Sequence, residues 1–107
     1  MNKTVTPVRK ELITRLGILR NRKGLSAREL SGRLGFSVAY IAKFENGDFS
    51  IPAEVLLDAI EVCDSTPEEF FFRDISLYKD IKEIINLFSG LSKESKSTII
   101  ELMKNMK

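Results

Sequence analysis

The side chains that could do chemistry in this 107-residue sequence are few, and their types narrow the field. There is no histidine, which removes the commonest general base near neutral pH and the commonest metal ligand. A single cysteine, Cys63, is too little for a disulfide framework or a thiolate zinc site, and its place in an apolar helical pattern marks it as a small hydrophobe. The carboxylates of the second half have no histidine, metal motif or glycine-rich loop beside them. No catalytic set is expected, and with it no enzyme, no metal and no cofactor. What remains is a set of cations, a phenol and an amide in the first half: Arg9, Lys10, Arg28, Tyr40, Lys43 and Asn46. Arginine and lysine pair with phosphate, and polar side chains read base edges.

The charge distribution agrees with that chemistry. The whole chain carries +2, but residues 1–50 hold ten basic and four acidic side chains, a net +6. Residues 51–107 hold seven and eleven, a net −4. A basic half joined to an acidic half points to a polyanion as partner of the first half. With 43% hydrophobic and 30% charged residues, the chain is expected to be globular. No apolar run approaches the roughly 20 residues of a membrane span, and the N-terminus lacks the apolar centre of a signal peptide. The expectation is a cytoplasmic protein with no membrane partner.

Cap and stop signals divide the sequence into helices. Thr6-Pro7 opens the first, with Val8, Leu12, Leu16 and Leu19 near one face, and Gly24 ends it. Ser26-Ala27-Arg28-Glu29 is a capping box for a short second helix ending at Leu34-Gly35. Ser37 is expected to cap a third, which carries Ile41 and Phe44 inward and stops at Gly47. Pro52 begins a fourth, with Val55, Leu56, Ala59, Ile60 and Cys63 inward. Thr66-Pro67-Glu68-Glu69 reads as another capping box, opening a short fifth helix that bears Phe70, Phe71 and Phe72. Two further helices, 75–89 and 93–106, are separated by Ser89-Gly90 and the cap Ser92. No strand alternation and no repeat is present, so the fold class is all-α.

The second and third helices carry the functional signal. Two short helices joined through Leu34-Gly35-Phe36-Ser37, with glycine where the turn needs a positive φ, describe a helix-turn-helix. In that motif the second helix enters the major groove by its N-terminal end. Its outward residues here are Val38, Ala39, Tyr40, Ala42, Lys43 and Asn46. Arg20-Asn21-Arg22-Lys23-Gly24-Leu25-Ser26 precedes the motif, Phe44-Glu45-Asn46-Gly47 closes it, and Ser65-Thr66-Pro67-Glu68-Glu69-Phe70-Phe71 follows the fourth helix. In this order and spacing, residues 12–72 resemble the Cro/phage-repressor type (Xre family) of helix-turn-helix regulators.

That resemblance implies a five-helix lambda-repressor-like domain over residues 1–72. It also implies sequence-specific binding to double-stranded DNA, commonly as a dimer on an inverted repeat. It makes Arg20 and Glu45 a structural ion pair between the first helix and the end of the recognition helix. It places Ser26, Ala27 and Arg28 where relatives meet phosphate, and Ser37, Val38, Ala39, Tyr40 and Lys43 at base-reading positions. The family often has glutamine at the position of Ala27 and a polar residue at that of Val38. Those side chains bond purines, whereas alanine and valine can only touch a thymine methyl. Asp48 stands in a loop that is often basic in relatives.

Residues 75–107 form a helical hairpin too small to bury both of its apolar faces alone. Ile81, Ile85, Phe88, Ile99, Leu102, Met103 and Met106 are therefore expected to pair across a two-fold axis in a homodimer. The leading expectation is a dimeric DNA-binding transcriptional regulator acting as a repressor. The alternative is a protein-interaction module or antagonist that keeps the fold without operator binding. The hairpin would suit that role too, by accepting the helices of a small antagonist protein.

Overall fold

The computed structural model describes residues 5–106. Lys3 and Lys107, counted above among the basic side chains, lie outside them. The described residues form α1 (Pro7–Lys23), α2 (Ala27–Arg33), α3 (Tyr40–Glu45), α4 (Ala53–Val62), α5 (Pro67–Phe70), a 3-10 turn at Ile75–Leu77, α6 (Tyr78–Ser89) and α7 (Lys93–Asn105), with no strand among them. The fold is all-α: five helices and then a helical pair.

Local chemistry sets most of these boundaries. The Thr6 hydroxyl accepts from the Arg9 N–H at the start of α1, with Pro7 in the first turn, where its missing N–H costs nothing. Gly24 ends α1 in the left-handed conformation (φ 79°), and Gly35 (φ 82°) turns the chain after α2. Ser26 and Glu29 exchange both bonds of a capping box at 3.0 Å each. Thr66 caps α5 by accepting from the Glu69 N–H, and Ser92 caps α7 by accepting from the Ser95 N–H.

Five expectations are corrected. Ser37 is not the cap of α3: the chain makes one further turn, and the cap position falls on Ala39, which has no capping side chain. Val8 is 70% exposed: in the first turn of α1 it is Arg9, bonded to the Gly47 carbonyl, that packs against the rest of the domain. Helix α5 ends at Phe70, so Phe71 is its C-terminal cap and is exposed, while Phe72 is half-buried. Met106 lies past the end of α7 in an extended conformation. Ile75 belongs to the core of the first five helices rather than to the hairpin.

That core is built from Leu16 and Leu19 of α1, Leu30 of α2, Ile41 and Phe44 of α3, Leu56, Ala59, Ile60 and Cys63 around α4, and Phe70. Each large side chain buried here contributes about 1.5–3 kcal/mol over its exposed state. Burial pushes the Cys63 thiol up, which keeps it protonated and inert. An ion pair and a set of carbonyl contacts brace α1 against α5 and the chain after it. Arg22 forks onto Glu69 at 2.7 and 3.0 Å, and Ser65 Oγ adds a bond to the same carboxylate. The Glu69 hydrogen bond raises the Arg22 pKa, so the guanidinium stays charged. Arg15 donates to the carbonyls of Phe70, Phe72 and Arg73 and fixes the chain leaving α5.

The chain divides into two compact units between Ile75 and Ser76. Within the second, Gly90 separates α6 from α7, and the Lys96 ammonium sits 5.7 Å from the centre of the Phe88 ring. On α7, Lys93 and Lys104 are exposed, whereas Lys96 is half-buried.

Candidate nucleic-acid interface

The interface is assembled around α2 and α3. Leu30 is fully buried and Leu34 partly so, facing Ile41 and Phe44 across the angle between the helices. Helix α3 is only six residues long and starts without a local cap. Its orphan N–H at Ile41 is satisfied from the neighbouring helix: the buried Ser31 hydroxyl accepts it at 2.9 Å and donates to the Ala27 carbonyl at 2.7 Å. One hydroxyl thus closes the angle between α2 and α3. Nothing local in the sequence reveals that the Ser31 hydroxyl finds its partner ten residues on.

The far end of α3 is held by the ion pair expected from the sequence. Arg20 Nε and Nη2 donate to the two carboxylate oxygens of Glu45 at 2.9 and 3.0 Å, and Nη1 donates to the Leu25 carbonyl. A bidentate guanidinium–carboxylate pair fixes orientation as well as distance. Arg9, a candidate phosphate contact by sequence, instead donates to the Gly47 carbonyl at 3.0 Å and is half-buried. It braces the loop after α3. Gly47 itself (φ 85°) leaves no room for a β-carbon, which would come within 2.7 Å of Val5.

The expected reading residues fall into three groups. Ser37, Val38, Ala42, Lys43 and Asn46 are exposed, and Ala39 is half-buried. Tyr40 is drawn into an aromatic stack. Its ring lies 4.1 Å from that of Phe36 at 11° and 4.9 Å from that of Phe49. That stacking pins the entry to α3 and leaves Tyr40 half-buried rather than free on the outward face. At the start of α2, Arg28 is exposed and Ala27 half-buried, while Ser26 is engaged with Glu29. Hydrogen bonds from Ser26 hold the Glu29 carboxyl below its ordinary pKa, so a carboxylate sits at this helix end near neutral pH. Among the exposed cations, Arg28, Arg33 and Lys43 stand on the two helices of the motif and Lys10 on α1.

A helix-turn-helix domain profile matches residues 11–70, more than half of the chain. The protein belongs to the helix-turn-helix domain family. Two solved structures share its fold. One is the clp gene regulator ClgR from C. glutamicum, with a TM-score of 0.56 and 22% identity over 64% of this chain and 88% of that one. The other is a chain of the SinR protein/SinI protein complex, with a TM-score of 0.50 and 21% identity over 87% of this chain and 94% of that one. No curated protein sequence matches the chain. Family and fold are both in keeping with the resemblance to the Cro/phage-repressor type. Among the described residues, no group of acidic, cysteine or histidine side chains could hold a metal ion, and no helix is long and apolar enough to cross a membrane.

Proposed function

We propose that the protein is a sequence-specific, cytoplasmic DNA-binding repressor that acts as a homodimer. In this reading α3 enters the major groove by its N-terminal end, and Arg28 and Lys43 meet the backbone on either side. The observation that carries it is the recognition helix itself. Six residues with no local cap are held at both ends by side chains from other helices, Ser31 at one and Arg20 at the other. That bracing fixes a short helix that leaves Ala42 and Lys43, with Asn46 at its C-terminal cap, exposed.

The dimer is supported by the second unit. Ile85 is 57% exposed and Met103 61%, with Leu102 and Met106 exposed beside them, while Ile81, Phe88 and Ile99 are half-buried. An apolar stripe along two helices is expected to be covered by another chain. Two-fold pairing places two reading heads on two half-sites, and occupying such a site blocks transcription without any chemistry.

The test is Lys43→Glu, measured by fluorescence anisotropy on a duplex enriched from a random pool. Reversing one phosphate-facing charge per protomer is expected to weaken binding at least tenfold and to flatten its salt dependence, with the fold intact. Unchanged affinity would remove α3 from the interface.

One observation favours a second reading, an interaction module or antagonist of another regulator. The Glu29 carboxylate sits where a phosphate is expected, and a fold neighbour is a complex of two named proteins. Under that reading the hairpin takes a partner's helices, and purified protein enriches no sequence from the pool.

A further inference from the structure

The entry to the reading head is poor in side chains that hydrogen-bond bases. The segment entering α3 offers Val38, 53% exposed, with Phe36, 40% exposed, preceding it. Ala39 and Ala42 add only methyl groups along α3. Tyr40, the one large polar residue at this end, is stacked between Phe36 and Phe49. Lys43 and Asn46 are exposed further along the helix, away from the end that reaches deepest into a major groove, and Ser37 is the polar neighbour at the tip. Exposed apolar groups at the entry to α3, with the exposed cations Arg28 and Lys43 on the two helices of the motif, gain from a polyanion that also presents something apolar. The major groove presents one such group, the C5-methyl of thymine.

Resting on the DNA-binding reading above, we infer that Val38 determines specificity by packing on pyrimidine C5-methyl groups, so that the protein distinguishes sites by methylation pattern and accepts 5-methylcytosine as it accepts thymine. Apolar contact is blind to the O4 acceptor or N4 donor beside the methyl, whereas a glutamine at this position would not be. The stacked rings of Phe36 and Tyr40 bracket Val38 and hold the turn that presents it.

The experiment uses the full chain and the duplex most enriched from a random pool. Each thymine is replaced in turn by deoxyuridine, which deletes one methyl and nothing else. At one thymine per half-site the loss is expected to be about fourfold, the worth of one buried methyl. Cytosine at that position weakens binding, and 5-methylcytosine in its place recovers about the same factor. Val38→Ser, at an exposed site that leaves the fold intact, removes both side-chain methyls and abolishes the thymine–deoxyuridine difference at that position while leaving the others unchanged. Selective binding that no deoxyuridine substitution weakens, or a difference that survives Val38→Ser, overturns the inference and leaves the DNA reading standing. Failure to enrich any duplex overturns both.

Discussion

The Ser31 hydroxyl holds two hydrogen bonds at once, one within α2 and one to the first turn of α3. With alanine in its place, the Ile41 N–H is buried without an acceptor, which costs about 1–3 kcal/mol. Ser31→Ala is therefore expected to lower the urea midpoint with an unchanged slope, and to weaken DNA binding beyond its effect on stability, because α3 loses its cap. A neutral or stabilised variant would show that α3 needs no cap from outside. The other residue-scale finding is that charge alone does not identify contacts. Arg9 and Arg28 are both arginines of the basic half, yet one is committed to the Gly47 carbonyl and the other is exposed.

Among the elements, α2 carries a titratable device at its start. The Glu29 carboxylate is held below its ordinary value, 4.5, by hydrogen bonds from Ser26. A depressed folded pKa stabilises the fold above the unfolded value, and that contribution is lost as pH falls through the lowered one. Glu29→Gln keeps an acceptor but does not titrate. The stability gap between wild type and variant is expected to be constant above about pH 5 and to narrow below 4.5 in thermal melts. A gap that stays constant into acid would contradict it. The elements also show what was legible in sequence. Thr6-Pro7, Ser26 with Glu29, Thr66-Pro67 and Ser92 each bond within three residues, so their helices could be read directly. The start of α3 could not, because its cap comes from another helix, and local pattern pointed to Ser37 instead. The Arg20–Glu45 pair was legible through the family resemblance alone, since 25 residues separate the partners. The capture of Tyr40 by Phe36 and Phe49 depends on how the α2–α3 and α3–α4 loops fold, which periodicity does not encode.

At the scale of the whole molecule, the division between Ile75 and Ser76 separates a unit with a buried core from one whose apolar residues are largely exposed. The second unit makes sense as an assembly element. Ile85→Glu places a charge in the expected dimer seam at a residue already exposed in the single chain, so folding of the first unit should be untouched. Sedimentation velocity is expected to show a monomer where wild type is a dimer, and affinity for a two-half-site duplex should fall at least a hundredfold through loss of the second contact. An unchanged sedimentation coefficient would place the seam elsewhere.

The most direct test of the central claim is selection of the purified protein on random duplexes at two salt concentrations. An enriched inverted repeat, with half-sites about one helical turn apart and affinity falling steeply with salt, is the predicted result. Weak binding that enriches no sequence would contradict it and leave the hairpin, rather than the recognition helix, as the working surface of the protein.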